Sequence, residues 1–134
     1  MKKILSSYSW GNDGAILLIR LILGGMMMYH GYGKIVNYHT ILPQFTDIIG
    51  IGARLSFHLV IFAEFFCSFL VLIGFLTRFA AVPILITMFV AYFVALKDAE
   101  FSVKELPFVF LLLSLVVIVT GGGRYSVDRL VFKN

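Results

Sequence analysis

Four long apolar runs constrain the fold of this chain more than any other feature of its sequence. The runs 79–96 and 106–123 contain no charged residue, and the runs 14–33 and 55–77 contain only a few ionisable ones. About 20 helical residues span the hydrocarbon core of a bilayer, which is about 30 Å thick. Continuous runs of this length predict membrane-spanning helices. They do not predict strands, because barrel strands alternate apolar and polar residues and four strands cannot close a barrel.

The composition excludes a soluble globular domain. Of the 134 residues, 60% are hydrophobic and 13% are charged, and the mean hydropathy is +0.99. So few charges cannot supply the polar surface that a soluble core of this size needs, and the apolar residues must therefore face the lipid bilayer. We predict an all-α integral membrane protein, an antiparallel four-helix bundle, with residues 1–134 forming a single domain. The net charge of +4 lies at juxtamembrane positions and indicates anionic lipid rather than nucleic acid as a partner.

The links between the runs predict how the helices are arranged. The link 74–78 is so short that the second and third helices must be antiparallel neighbours. Residues 34–54 are mildly amphipathic, which favours a short interfacial helix over a plain loop. Pro83 and Pro107 are expected in the first turns of the last two helices, where a missing backbone N–H costs little.

The distribution of Lys and Arg outside the apolar runs predicts the orientation. Six lie on the side that holds both termini: Lys2, Lys3, Arg78, Arg124, Arg129 and Lys133. Four lie on the opposite side: Lys34, Arg54, Lys97 and Lys104. The positive-inside rule then places both termini in the cytoplasm, with Trp10 near the inner interface. The first run does not end in a small-residue cleavage site, so we interpret it as a retained helix and not as a signal peptide.

Two ionisable side chains lie deep in the predicted spans. Counted from the predicted helix ends, Arg20 lies ~9 Å and Glu64 ~14 Å inside the membrane. An unpaired charge at such a depth is costly, so we predict a buried ion pair between Arg20 and Glu64. Lys34 shares a helix face with Arg20, and His30 lies just beside that face. The sequence therefore predicts a polar site that contains Arg20, His30, Lys34 and Glu64.

Structural interpretations stay open beside the functional ones. A buried Arg–Glu pair can do no more than fix the helix register, and Lys34 can snorkel to the headgroups. Cys67 is a further candidate for the site, although a buried cysteine is more often a packing residue. As the one cysteine in the chain, it cannot form an intrachain disulfide. No metal site meets the ligand-spacing rules.

Several motifs, taken together, resemble the DoxX-like family of small bacterial membrane proteins. In chain order they are Arg20, His30-Gly31-Tyr32-Gly33-Lys34, Glu64-Phe65-Phe66, Leu72-Ile73-Gly74-Phe75-Leu76-Thr77-Arg78 and Gly121-Gly122-Gly123-Arg124-Tyr125-Ser126-Val127-Asp128. The resemblance implies a four-helix protein of the bacterial inner membrane. It also implies a link to sulfur and thiol redox chemistry, since related chains form the membrane subunit of a thiosulfate:quinone oxidoreductase. Arg20, Lys34, Glu64 and Arg78 match recurring charged positions of that family, which adds Arg78 to the candidates.

Two functions are consistent with these residues. The first is a membrane component of a sulfur/thiol or quinone-linked oxidoreductase, with a small polar site near the outer half of the bundle. Quinone is then the candidate cofactor, and a partner redox subunit or the quinone itself must supply electrons, because the chain has no cysteine pair. The second is a non-enzymatic membrane scaffold or assembly factor whose buried charges are structural. A homo-oligomer stays open as well, since Ala91 and Ala95 belong to a small-residue stripe suited to close helix approach.

Overall fold

The computed structural model describes residues 12–47 and 49–132 and contains four helices long and apolar enough to cross a membrane. They are α1 (Asn12–Val36), α2 (Ala53–Ile73), α3 (Thr77–Ala95) and α4 (Phe101–Thr120). A six-residue helix, α5 (Val127–Phe132), follows them. The predicted all-α membrane bundle is thereby confirmed. The predicted positions of Trp10, Lys2, Lys3 and Lys133 lie outside the described residues.

The four long helices form a ring in which each helix contacts two neighbours. α1 packs on α2, α2 on α3 and α3 on α4, and α4 returns to α1 through the sparsest of the four contacts. The core between them holds Leu23, Met27, Val71, Ile84 and Val117, all at most 1% exposed. Large apolar side chains also cover the outer surface, which is the arrangement expected of helices that face lipid rather than water.

The helix boundaries differ from the predicted ones where charges lie inside a helix. α4 begins at Phe101 and not at the predicted residue 106, so Lys104 and Glu105 lie in its first two turns. The Lys104 ammonium lies 4.6 Å from the centre of the Tyr92 ring, a cation–π contact that holds this cation at the end of the bundle. The prediction that Pro83 and Pro107 occupy first turns is therefore wrong, since both lie inside their helices.

Glycines with positive φ end two of the helices. Gly74, at φ 78°, ends α2, and the N–H groups of Gly74 and Phe75 donate to the Leu70 carbonyl at 2.8 and 2.9 Å. Gly121, at φ 72°, ends α4 at the triple-glycine motif. The turn after Gly74 is so tight that α2 and α3 run antiparallel, as their short link predicts.

The loop between α1 and α2 contains less helix than its amphipathic pattern predicts. It has one helical turn at Tyr38–Ile41 and one 3-10 turn at Leu42–Gln44, and the chain is extended at Phe45. The Asp47 carboxylate then accepts hydrogen bonds from the N–H groups of Gly50, Ile51 and Gly52. A proline in the 3-10 turn and two positive-φ glycines after it prevent one continuous interfacial helix.

Two spans contain π-helical turns, which the sequence did not predict. One covers Phe62–Cys67 in α2, and the other covers Ala91–Ala95 at the end of α3. A π-helical turn widens the helix locally and is frequent at functional sites. The first turn lies in the middle of α2, and the second lies at the end of the bundle that carries the α1–α2 loop.

Candidate functional site

Arg20 binds backbone carbonyls and is almost completely buried, at 2% exposed. Its Nε donates to the Val71 carbonyl at 3.0 Å, and its Nη2 donates to the Leu72 carbonyl at 2.8 Å. Its Nη1 donates to the carbonyls of Gly122 and Tyr125 at 3.0 and 2.7 Å. Because carbonyls at and beyond a helix C-terminus lack an intrahelical donor, the guanidinium supplies one to Leu72, Gly122 and Tyr125, and it shares the Val71 carbonyl with the Gly74 N–H. Arg20 thereby joins α1 to the end of α2 and to the segment after α4.

The predicted ion pair between Arg20 and Glu64 is wrong. On α1, Gly24 packs on the backbone of Leu72, and Gly31 packs on the backbone of Glu64. Arg20 precedes Gly31 by eleven residues, which is ~16 Å along a helix. Depths counted from separate helix ends do not give the register between two helices, and that is why the wrong partner was assigned.

The partner of Glu64 is Lys34. The Lys34 Nζ lies 2.7 Å from the Glu64 Oε1, with the lysine side chain 28% exposed and the glutamate side chain 6% exposed. The interpretation that Lys34 only snorkels to headgroups is therefore incomplete, because its ammonium neutralises a buried carboxylate. Glu64 is taken out of water, whereas Lys34 keeps some exposure, so the pair lies where the bundle interior meets its surface.

Close helix packing brings the two charged residues together. A Cβ on Gly31 would lie 2.8 Å from the backbone carbon of Glu64 and from the backbone nitrogen of Phe65. Only glycine permits α1 to approach α2 this closely. Glu64 itself belongs to the π-helical turn of α2. The register between Gly31 and this turn places Lys34, three residues further along α1, above the carboxylate.

The Lys34–Glu64 pair lines a cavity of about 480 Å³ in the middle of the helix ring, which we call the Glu64 cavity. All four spans contribute to it. Its polar side chains are His30, Lys34, Glu64 and Thr87. The remaining wall is mostly apolar and comprises Met27, Phe45, Val60, Met88, Val90, Ala91, Ala95, Leu96, Leu106, Pro107 and Phe110. This size, a mostly apolar lining and a few polar groups are the features of a small-molecule site.

His30, which the sequence analysis named for the polar site, lies on the wall of the Glu64 cavity. Its ring meets the Phe110 ring edge-on with 6.0 Å between centroids, so α1 and α4 touch there. Of the four predicted site residues, the structure therefore brings together His30, Lys34 and Glu64. Arg20 lies elsewhere, at the end of the bundle where α2 ends.

The two further candidates, Cys67 and Arg78, do not line the Glu64 cavity. Cys67 is 3% exposed and belongs to the hydrophobic core. Arg78 donates from Nε to the Ile118 carbonyl at 2.9 Å and from Nη2 to the Val119 carbonyl at 3.3 Å. Arg78 therefore satisfies carbonyls in the last turn of α4 and stabilises the helix end.

Sequence reasoning did not name Thr87 as a residue of the site, and it missed the role of Asp128 at the start of α3. The Asp128 carboxylate accepts hydrogen bonds from Leu76 N at 2.7 Å, Thr77 N at 3.0 Å and Thr77 Oγ1 at 2.7 Å, and so caps α3. Asp128 lies 51 positions after Thr77 in the sequence, so no local sequence pattern predicts this cap. Among the described residues, no group of three or more His, Cys, Asp or Glu is placed to hold a metal ion.

Comparison with known proteins supports a single family. The sequence profile of the family described as DoxX matches residues 15–97, which is more than half of the chain. An inner membrane protein of Escherichia coli named YqjF is 34% identical over 90% of this chain and 95% of its own length. An uncharacterized protein of Haemophilus influenzae is 31% identical over 92% of this chain and 87% of its own length. An uncharacterized membrane protein of Mycobacterium tuberculosis is 33% identical over 89% and 82%. No solved structure matches the chain significantly.

Proposed function

This chain belongs to the DoxX family of membrane proteins, and on that premise we propose that it is the quinone-binding membrane component of a sulfur- or thiol-linked oxidoreductase system. The observation that carries the proposal is the Glu64 cavity, which combines apolar walls with a partly buried ion pair. A membrane quinone has a flat apolar ring, two carbonyl oxygens and an isoprenoid tail that stays in lipid. The cavity volume of about 480 Å³ is sufficient for such a ring.

The side chains of the cavity fit the polar groups of a quinone. The Lys34 ammonium and an imidazole N–H of His30 are donors for the two carbonyl oxygens. The Glu64 carboxylate, held by Lys34 at 2.7 Å, accepts or releases a proton at its oxygens beside the bound ring. When bound, the quinone supplies two-electron chemistry, since its reduction to the quinol takes up two electrons and two protons.

The electrons must come from a partner that oxidises a thiol or an inorganic sulfur compound. Cys67 is the one cysteine in the sequence, and its side chain is 3% exposed in the core away from the cavity. A lone buried thiol cannot cycle between dithiol and disulfide. We therefore assign to this chain quinone binding and proton handling, and to a partner subunit the oxidation of the sulfur compound.

The test is the quinone content of the purified protein. We expect the wild type in a mild non-ionic detergent to retain close to one quinone per chain, measured by solvent extraction and mass spectrometry. Glu64→Gln keeps the shape of the side chain but removes the charge that orients Lys34, and it is expected to lower the content about tenfold, the effect of losing one charge-assisted hydrogen bond. Glu105→Gln, which changes an exposed carboxylate on α4, is the matched control and should retain the wild-type content.

Either of two results would overturn the proposal. One is a wild-type protein that neither co-purifies with quinone nor binds an added short-chain quinone. The other is a folded Glu64→Gln protein, with unchanged helical circular dichroism, that retains as much quinone as Glu105→Gln.

The second candidate function is a scaffold or assembly factor, and the hydrogen bonds of Arg20 favour it. All four hydrogen bonds of this buried guanidinium go to backbone carbonyls, which is the arrangement of a structural residue. If the same interpretation applied to Lys34 and Glu64, their ion pair would only hold α1 against α2 and would bind no ligand. Simultaneous replacement of Lys34 and Glu64 by apolar residues distinguishes the two functions.

We propose further that the chain lies in the inner membrane with both termini in the cytoplasm. The relative in Escherichia coli is named an inner membrane protein. Arg78, Arg124 and Arg129 cluster at the end of the bundle where α3 begins and α4 ends. A green fluorescent protein fused after residue 134 should therefore fluoresce, and an alkaline phosphatase fused there should be inactive. The reverse pattern would contradict this orientation.

A further inference from the structure

A second cavity lies at the opposite end of the bundle from the Glu64 cavity. It has a volume of about 720 Å³ and is lined by the first turns of α1 and α3, the end of α4 and the segment that leads into α5. Three arginines line it: Arg78, Arg124 and Arg129. We call it the arginine cavity. Nothing in the proposed quinone chemistry uses it.

Two of these arginines differ from Arg78, whose guanidinium donates to carbonyls of α4. Within residues 12–47 and 49–132, the side chains of Arg124 and Arg129 have no hydrogen-bond or ion-pair partner, and both residues are exposed. The two acids that also line the cavity are already engaged. Asp128 accepts three hydrogen bonds at the start of α3, and Asp13 accepts the backbone N–H of Arg124 at 3.1 Å. Among the described residues that line the cavity, Arg124 and Arg129 therefore have guanidinium N–H groups available for a ligand.

Large apolar side chains are exposed beside the arginine cavity. Three consecutive residues of α5 are at least half exposed: Leu130 at 75%, Val131 at 55% and Phe132 at 51%. Phe79, at the start of α3 and also on the cavity wall, is 78% exposed. A short helix with bare apolar residues beside unpaired arginines has the composition of an element that lies in the membrane interface. Water would leave this apolar surface exposed, whereas lipid acyl chains cover it.

We infer that the arginine cavity binds the phosphate headgroup of an anionic phospholipid, with Arg124 and Arg129 as its ligands and α5 embedded among the acyl chains. Guanidinium groups bind phosphate oxygens through paired N–H donors and suit this role better than ammonium groups. Basic pockets at the ends of membrane helices are recognised sites for anionic headgroups. The cavity supplies the cations, and the exposed residues of α5 and Phe79 supply the contact with the chains, so both parts of one lipid are matched.

The test measures lipid binding to the full-length protein in a non-ionic detergent. Short-chain phosphatidylglycerol is compared with phosphatidylcholine of the same chain length and with inorganic phosphate, using native mass spectrometry and the shift in melting temperature. We expect phosphatidylglycerol to bind at least about tenfold more tightly than phosphatidylcholine, and inorganic phosphate alone to give no shift. This difference follows from about one kcal/mol per basic residue near an anionic headgroup.

A pair of double variants tests the assignment to this cavity. Arg124→Gln with Arg129→Gln should weaken phosphatidylglycerol binding about 10- to 30-fold. Arg54→Gln with Lys97→Gln removes the same charge from exposed residues at the opposite end of the bundle and should change the binding less than about twofold. Because the four side chains are exposed, both proteins should fold, which helical circular dichroism checks.

Three outcomes would overturn the inference. The first is equal binding of phosphatidylglycerol and phosphatidylcholine. The second is equal loss in the two double variants, which would show a non-specific effect of net charge. The third is a melting-temperature shift with inorganic phosphate as large as that with phosphatidylglycerol, which would make the cavity a site for a free anion and not for a lipid.

Discussion

Replacing Arg20 by methionine is expected to prevent accumulation of a stably folded protein. The substitution keeps the length and apolar stem of the side chain but removes every donor of a guanidinium that is 2% exposed. The carbonyls of Leu72, Gly122 and Tyr125, from the end of α2 and the segment after α4, then lose this donor at once, and the Val71 carbonyl keeps only the Gly74 N–H. Leaving buried polar groups unsatisfied costs about 1–3 kcal/mol each, and the losses here add up to about 4 kcal/mol or more once the structure relaxes. That is a large part of the total stability of a small domain.

The measurement is the fraction of monodisperse protein after detergent extraction, together with its melting temperature. Arg54→Met is the matched control, because Arg54 is exposed near the start of α2 and should tolerate the change within about 0.5 kcal/mol. Arg20→Lys should fall between the two. It keeps the positive charge, but one ammonium with three donors cannot replace a guanidinium that reaches carbonyls at the end of α2 and in the segment after α4. An Arg20→Met protein that melts within about 2 °C of the wild type would refute the structural role of this residue.

The contrast between Arg20 and Glu64 shows which part of the site could be predicted from sequence. Apolar runs locate the four spans because lipid requires them, and the same runs reveal any charge inside a span. The partner of that charge depends on the register between two helices, which is determined where Gly24 and Gly31 let α1 contact the backbone of α2. A helical wheel describes one helix and gives no information on its register against a neighbouring helix. The helical wheel placed Lys34 on the correct face of α1, but the count of depths from the helix ends assigned Glu64 to Arg20 instead of Lys34.

The sequence named three polar residues of the Glu64 cavity, but the shape of the cavity was beyond sequence reasoning for a related reason. Its shape depends on the π-helical turns at Phe62–Cys67 and Ala91–Ala95, where one extra residue enters a turn and changes the direction of every later side chain. A period of 3.6 residues, applied throughout, misplaces residues beyond such a turn. The Asp128 cap was missed because it joins residues that are far apart in the sequence. The spans, by contrast, depend only on local hydropathy, and their prediction was correct apart from a few residues at the ends.

The second large effect is expected at Lys34, where the change also separates the two proposed functions. Lys34→Met leaves the Glu64 carboxylate, whose side chain is 6% exposed, without its cation. Removing one partner of a fully buried pair costs about 3–5 kcal/mol. We expect about 2–3 kcal/mol here, because Lys34 is partly exposed and its attraction to Glu64 is therefore partly screened. Glu64→Leu alone should cost less, about 1 kcal/mol, since the freed Lys34 can extend towards the headgroups.

The double variant Lys34→Met with Glu64→Leu is expected to recover most of the lost stability. Replacing both members of a buried ion pair with apolar residues of similar volume is often neutral, so its melting temperature should lie above that of Lys34→Met alone. If the Glu64 cavity binds quinone, this stable protein should nevertheless contain no quinone and fail to support the redox activity of cells that lack the wild-type gene. A double variant that is both stable and active would instead favour the scaffold, because the pair would then be needed only to hold α1 against α2. Failure of the double variant to regain stability would show that the two charges do not act as a pair, in contradiction to the 2.7 Å contact between them.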